Sequence, residues 1–190
     1  TILEALIQAG ADVDKAANDG DTALMAASRA GHDAVVEVLL QAGADVDKAA
    51  NNGYTALIIA SQEGHAAIAE VLIQAGADVD KATKNGDTAL IGASQYGHDA
   101  IVEALIQAGA DVDKANTAGG RALMAASQEG HAAIVEALIQ AGADIDKADN
   151  DGDTALIVAC GKGHAAIVEA LLQAGADIDK ANINGGTALM

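Results

Sequence analysis

The sequence contains no phenylalanine, tryptophan or proline, and it has only two tyrosines and one cysteine among 190 residues. Alanine, leucine, isoleucine and valine must therefore supply the interior volume that aromatic side chains provide in most proteins. No apolar run approaches the ~20 residues of a membrane-spanning helix, and no signal peptide is evident. We expect a protein with no membrane partner, whose core consists of many thin layers.

Basic residues are scarce: ten lysines and arginines stand against 28 acidic residues, for a net charge of −18. No basic stripe exists that could neutralise phosphates, which argues against a nucleic-acid partner. The single cysteine, Cys160, has no partner for an internal disulfide, and this predicts a cytoplasmic protein. Cys160 occupies a position that holds serine in the other copies of an internal repeat, so we expect it to be a small buried residue.

That repeat runs through the whole chain. GHDAVVEVLLQAGADVDKA occupies residues 31–49, and closely similar stretches occupy 64–82, 97–115, 130–148 and 163–181. A copy without the first three letters opens the chain at Thr1. The histidines at 32, 65, 98, 131 and 164 set a period of 33 residues. A period of this length is typical of stacked supersecondary units, each of which contacts only its neighbours.

Each copy predicts a turn, two helices and an extended return. A turn is expected at DGD (19–21), and Thr22 offers a hydroxyl that can cap a helix over residues 23–30. Gly31 is expected to end this helix in the left-handed conformation. Apolar residues at helical spacing predict a second helix over about 34–42. The return would form a hairpin with the turn of the next copy.

The pattern D-G-x-T-A-L…A-A-S…G-H…V-V-E-x-L-L-x-A-G-A-D-V-D resembles the ankyrin repeat, and the resemblance covers the whole chain. It implies an all-α fold, a curved and elongated solenoid of stacked helix pairs with β-hairpin fingers. It implies a single stack over residues 1–190, divided into 1–18 (partial), 19–51, 52–84, 85–117, 118–150, 151–183 and 184–190 (partial). In such stacks, partners bind to the fingers and to the concave face of the first helices.

The chain departs from the family at the start of the first helix. The usual T-P-L-H is replaced by TALM or TALI, which predicts more apolar stacking and fewer polar bonds at the turn. Arg121 replaces the threonine in repeat 118–150 and cannot cap the helix, so we expect the softest junction there, at a cost of ~1 kcal/mol. Neither end carries a polar capping repeat. We therefore expect a piece of a longer protein, or a stack whose ends associate head to tail with other copies.

Three possible functional sites, a histidine metal site, a calcium loop and a catalytic set, lack the residues or spacing that each requires. The histidines are a whole repeat apart, and stacked helices lie roughly 8–10 Å from each other; we expect each histidine to bond backbone at the link between helices. The acidic loop 149–153 fails as a calcium loop, because Lys147 and Val158 stand where an EF-hand needs Asp and Glu. No catalytic set or phosphate-binding glycine loop differs from the repeat background. We predict no enzymatic activity, no metal and no cofactor.

Positions that differ between the copies are those that folding leaves free. They cluster at the turn, just after its glycine, and late in the first helix. The candidate partner-binding residues are Asp19, Asp21, Arg29, Asn52, Tyr54, Glu63, Asn85, Asp87, Gln95, Tyr96, Arg121, Glu129, Asp151, Asp153 and Lys162. Both tyrosines belong to this set, and tyrosine is enriched in interface hot spots. The excess of acids predicts a protein partner with a basic surface.

These observations predict a non-enzymatic intracellular scaffold that binds a protein partner through its fingers and concave face. An alternative is a structural spacer or assembly element whose ends stack head to tail within a larger protein or complex. The near-identity of the copies also permits an engineered or consensus-like repeat protein without a natural partner.

Overall fold

The computed structural model describes residues 2–190; Thr1, where the first partial copy begins, lies outside them. This part of the chain contains eleven α-helices of seven to nine residues each, so the predicted all-α class is confirmed. In chain order they are α1 (Ile2–Gln8), α2 (Ala23–Ala30), α3 (Asp33–Gln41), α4 (Ala56–Glu63), α5 (Ala66–Gln74), α6 (Ala89–Tyr96), α7 (Asp99–Gln107), α8 (Ala122–Glu129), α9 (Ala132–Gln140), α10 (Ala155–Lys162) and α11 (Ala165–Gln173). Over residues 2–190, every helix is too short or too polar to cross a membrane.

The first helices of the pairs (α2, α4, α6, α8 and α10) all end at a left-handed glycine, and all except α8 begin at a threonine cap. Thr22 has extended backbone at the start of α2, and its Oγ1 accepts a hydrogen bond from the N–H of Met25, at 3.3 Å. Gly31 ends α2 with a φ of 69°, a left-handed conformation in which other residues are strained. Both caps and the predicted bounds of this helix are confirmed.

The recurring histidines join each helix pair to the pair before it. They stand at the start of the second helices (α3, α5, α7, α9 and α11) but do not cap them through their side chains. The Nε2 atoms of four of the five lie 3.0–3.2 Å from carbonyl oxygens 36 residues earlier, in the pairs His65–Arg29, His98–Gln62, His131–Gln95 and His164–Gln128. Because a carbonyl oxygen only accepts, Nε2 carries the proton. The predicted bond from histidine to backbone is confirmed for these four histidines.

The core is a row of first helices with one stripe of each second helix packed against it. In α6, residues 89–94 are all buried, because α4 and α8 pack on its two sides. In α7, only Ile101, Val102 and Leu105 are buried. Alanines at 60, 93, 126 and 159 have no exposed surface and let neighbouring first helices approach closely. Small side chains thus replace the missing aromatic ones, as the composition predicts.

The hairpin fingers are tight turns that are bonded to one another. In one of them the N–H of Thr83 donates to the carbonyl of Asp87, at 3.0 Å. The N–H of Lys84 donates to the carbonyl of Asn52 in the preceding turn, at 2.9 Å. Ala82 and Thr88 form the single isolated β-bridge in residues 2–190, so the fingers consist of turns with almost no strand.

The aspartates that recur in the extended returns serve the fold. Oδ1 of Asp47 accepts a hydrogen bond from the N–H of Asp78, at 3.0 Å, and Oδ1 of Asp78 accepts one from the N–H of Asp80, also at 3.0 Å. The same two bonds recur along the stack. These carboxylates satisfy backbone donors of the returns, one within the same return and one in the next.

Cys160 is half-buried, whereas the sequence predicts a buried residue. The serines at the equivalent positions have no exposed surface. Cys160 packs against the core on one side and lines an open depression with Leu156 and Leu189 on the other. Leu189 is 97% exposed and does not cover the thiol.

Candidate functional site

The candidate binding residues lie on the hairpin turns and the C-terminal ends of the first helices, which we call the front face. At the turns, Asp19, Asn52, Asn85 and Asp151 are exposed, and Asp21, Tyr54, Asp87 and Asp153 are half-buried. At the helix ends, the exposed residues are Arg29, Glu63, Gln95, Tyr96, Glu129 and Lys162, while Arg121 is half-buried at the start of α8. They form a row along the stack, and two depressions bring several of them together.

The first depression lies between α2 and α4 and has a volume of about 290 Å³. Tyr54 and Asn52 line it from the turn, and Arg29 and Glu63 line it from the helix ends. The N–H of Tyr54 donates to Oδ1 of Asn52, at 3.2 Å, which holds the turn in shape. The tyrosine also packs against the core. One cationic and one anionic side chain, Arg29 and Glu63, border this depression.

The second depression, which we call the α8 pocket, lies between α6, α8 and α10 and has a volume of about 180 Å³. Four predicted residues line it: Asp87, Gln95, Arg121 and Glu129. Of the other lining residues, the comparison of the copies marks Gly120 as a position that differs, but it misses Met124, Ala125, Asp149 and Val158. For position 149 a signal was present, because the equivalent positions hold Ala50, Thr83, Asn116 and Asn182.

The cation of the first depression is neutralised within the protein. Nη1 of Arg29 donates to Oδ2 of Asp21, at 2.7 Å, across the span from the helix end to the turn. Both side chains are partly exposed, so the pair adds little to stability. Its consequence for the front face is that Arg29 does not present a free positive charge.

Arg121 is also engaged, although it fails as a helix cap. It has extended backbone at the start of α8 and makes no capping bond through its side chain, as predicted. Its guanidinium instead donates to three backbone carbonyls: Nε to Asp113 at 3.1 Å, and Nη1 to Gly119 at 2.8 Å and to Ala148 at 3.0 Å. Arg121 therefore ties two successive hairpins together, a compensation that the sequence did not predict.

Two of the candidate acids are latched to the next hairpin. Oδ1 of Asp87 accepts a hydrogen bond from Nδ2 of Asn116, at 2.8 Å, and Asp153 accepts the same bond from Asn182. The other end of the Asn116 amide, Oδ1, accepts the N–H of Gly120, at 2.9 Å. Asn116 thus orders both its own turn and the rim of the α8 pocket.

Tyr96 is the more accessible of the two tyrosines. Its side chain is 55% exposed at the end of α6. The ring stacks on His98 with 6.4 Å between ring centres and 29° between planes. Because His98 is itself bonded to Gln62, Tyr96 presents a preorganised aromatic surface.

Most histidine rings and the recurring aspartates take part in bonds that hold the stack together. Among residues 2–190, no three histidine, cysteine, aspartate or glutamate side chains are placed to hold a metal ion. Four histidine rings are bonded to backbone carbonyls, and the aspartates of the returns are bonded to backbone N–H groups.

Comparison with known proteins agrees with this geometry. The sequence model of the family described as Ankyrin repeats (3 copies) matches residues 1–83, 47–116, 76–149 and 123–190. No curated protein matches the chain. Because the matches extend over the whole length and the first helices begin 33 residues apart, the chain belongs to the ankyrin-repeat family, whose repeats generally serve as protein–protein interaction modules.

Proposed function

We propose that this chain is a non-enzymatic scaffold whose front face binds a basic segment of a protein partner. The observation that carries the proposal is that the arginines of that face are bonded within the protein, while several of its carboxylates are exposed. Arg29 and Arg121 are taken up by contacts within the protein, whereas the carboxylates of Asp19, Glu63 and Asp151 are exposed. A partner rich in lysine and arginine complements such a face.

Two lysines, Lys84 and Lys162, are also exposed on the front face. They are outnumbered by the carboxylates of the turns and helix ends, and the whole chain has a net charge of −18. A negative field attracts cationic partners and accelerates their encounter. It repels nucleic-acid phosphates, which supports a protein as the partner.

The tyrosines supply contact area that charge alone does not. Tyr96 is exposed and is ordered by its stacking on His98, and Tyr54 lines the first depression. Rigid aromatic side chains commonly carry a large share of the binding energy at protein interfaces. We place the complex in the cytoplasm, with support from the absence of any disulfide partner for Cys160.

The test is a selection of random-sequence peptides displayed on phage against the immobilised chain. We expect the recovered peptides to be enriched in lysine and arginine and to bind less tightly as salt rises. A front-face variant, Asp19→Asn with Glu63→Gln and Asp151→Asn, should recover few of them. Its control carries Glu37→Gln, Glu70→Gln and Glu103→Gln on the exposed side of the second helices, with the same loss of charge.

Peptides that bind the two triple variants equally well would overturn the proposal. Replacement of Tyr54 and Tyr96 by alanine is a second arm, and it should weaken binding of the recovered peptides. If neither set of front-face changes matters, a spacer or assembly element becomes the better description. Sedimentation of the chain at high concentration would then decide whether copies associate head to tail.

A further inference from the structure

We infer that the α8 pocket takes a lysine or arginine side chain of the partner. This inference rests on the proposed function and specifies which part of the partner is held at which point of the front face. The pocket combines an apolar floor with a rim of carboxylates, and that combination matches a long aliphatic stem that ends in a positive charge.

Part of the pocket lining is apolar, and we call this part the floor. Met124 and Ala125 of α8 and Val158 of α10 contribute to it. The volume of about 180 Å³ exceeds the roughly 150 Å³ of an apolar cavity that holds a benzene molecule. The methylene groups of a lysine or arginine therefore fit against this floor.

Three carboxylates, from Asp87, Glu129 and Asp149, border the floor. One oxygen of each is already bonded: to Asn116, to Gln128, and to the N–H groups of Asp151 and Asp153, respectively. The second oxygen of each accepts no hydrogen bond from residues 2–190. A cationic guest supplies the donors that these oxygens lack.

Arg121 is the single cation in the pocket lining, and it does not cancel the rim. Its N–H groups point at the carbonyls of Asp113, Gly119 and Ala148, which hold the guanidinium in place. With three carboxylates and one guanidinium the lining retains an excess of negative charge. The first depression differs here, since its lining holds a single carboxylate, Glu63, beside Arg29, which pairs with Asp21.

Two small residues open the pocket at this one place in the stack. Gly120 stands where the neighbouring turns carry Asp87 and Asp153, so no side chain fills the mouth. Ala125 stands where the first depression has Ile59. Glycine recurs at the first position as Gly186, and Ala26 and Gly92 are small at the second, but among the five complete repeats only 118–150 combines a glycine at the first position with a small residue at the second.

The experiment is an NMR titration of the ¹⁵N-labelled chain with N-acetyl-lysine methylamide. N-acetyl-norleucine methylamide, which lacks the charge, is the control probe, and the arginine analogue is titrated in parallel. We expect saturable shifts of the amides of Gly120, Ala125 and Val158 with a basic probe, and at least about fivefold weaker binding of the norleucine probe. Equal binding of the uncharged probe, or shifts without a preference for these amides, would overturn the inference.

Two pairs of variants separate the pocket from the rest of the face. Ala125→Ile should abolish the saturable shifts, while Ala26→Ile, the same change at the equivalent exposed position of α2, should leave them unchanged. Asp149→Asn should weaken the basic probe by ~3-fold. It retains the turn, because Asn116 and Asn182 make the same turn bonds at equivalent positions. Asp99→Asn, outside the front face, is its control and should have no effect.

Failure of this inference is distinguishable from failure of the proposed function. If the pocket variants bind the selected peptides normally while the front-face triple variant loses them, the pocket assignment is wrong and the scaffold proposal stands. If the basic probe saturates the pocket but no basic peptides are recovered, the pocket assignment stands and the scaffold proposal fails.

Discussion

Nε2 of His98 donates a hydrogen bond to the carbonyl oxygen of Gln62 in α4, 3.0 Å away. The imidazole lies over Gly64, the glycine that ends α4. A Cβ added to Gly64 would lie 2.6 Å from Cε1 of His98. Gly64 also has a φ of +78°. The residue must therefore be glycine for two separate reasons, one conformational and one steric, and the second is created by the neighbouring helix pair.

The first prediction separates these two reasons. Gly76 has a φ of +89° and no atom within 4 Å of an added Cβ, so Gly76→Ala should cost only the backbone strain, ~1–2 kcal/mol. Gly64→Ala should cost at least ~1 kcal/mol more, because the imidazole must move and its bond to Gln62 is disturbed. Urea denaturation of both variants measures the difference. Equal losses would show that the imidazole moves aside freely.

The second prediction concerns Arg121. Arg121→Thr restores a helix cap worth ~1 kcal/mol but removes three bonds to backbone carbonyls, each worth ~0.5–1.5 kcal/mol in a partly exposed setting. We expect the variant to be less stable than the parent by ~1 kcal/mol. Thr88→Ala, which removes a cap without any compensation, is the reference for the cap alone. A more stable Arg121→Thr would mean that the missing cap outweighs the guanidinium bonds.

Hydrogen exchange in the parent protein tests whether repeat 118–150 forms the softest junction, which stays a prediction. Hydrogen exchange of the α8 amides in the parent protein should be faster than exchange of the equivalent α6 amides if the missing cap dominates. Protection in α8 equal to that in α6 would indicate that the bonds from Arg121 replace the cap.

The third prediction uses two equivalent serines. Oγ of Ser28 donates to the carbonyl of Leu24, at 2.8 Å, whereas Oγ of Ser94 is fully buried and has no partner among residues 2–190. Ser94→Ala removes an unsatisfied hydroxyl and should be neutral or stabilising, while Ser28→Ala loses a bond. Relative to the parent, Ser28→Ala should therefore lose ~1 kcal/mol more of its free energy of unfolding than Ser94→Ala. The reverse order would mean that Ser94 finds a partner in solution.

The fold was predictable because its determinants are local and repeated. Thr22 caps one end of α2 and Gly31 the other, and both residues are visible in the sequence. The second helix α3 begins at Asp33, one residue before the predicted start, because the carbonyl of His32 already accepts the first helical bonds. A hydrogen bond to a backbone carbonyl does not depend on the side chain, so the sequence alone did not show that α3 begins at Asp33.

The candidate site was predictable in part. Asp87, Glu129 and Arg121 were found because they vary between copies and lie at the ends of elements. The remaining lining of the α8 pocket was missed because it depends on what neighbouring helices place side by side: Val158 reaches it from α10. Gly120 acts there by having no side chain, and only a structure shows the space that results.

The last prediction follows from the net charge of −18. Residues 2–190 contain three lysine or arginine ion pairs, Arg29–Asp21, Lys81–Asp47 and Lys147–Asp113, and their cationic side chains are 37–47% exposed. Exposed pairs contribute ~0–1 kcal/mol each, so weakening them with salt costs little. Repulsion among the excess carboxylates acts over longer distances and opposes the folded stack. Raising NaCl from about 10 to 150 mM shortens the screening length from about 30 to 8 Å. We therefore expect the melting temperature to rise over this range.

A reduced-charge variant shows whether repulsion is the cause. Glu37, Glu70, Glu103 and Glu136 are exposed on the second helices, and replacing all four by glutamine removes four negative charges outside the front face. In 10 mM NaCl this variant should melt at a higher temperature than the parent, and its melting temperature should depend less on salt. If the melting temperature of the parent protein instead falls as NaCl rises, the three ion pairs outweigh the repulsion among carboxylates. Each pair would then stabilise the stack by more than is usual for pairs with this exposure.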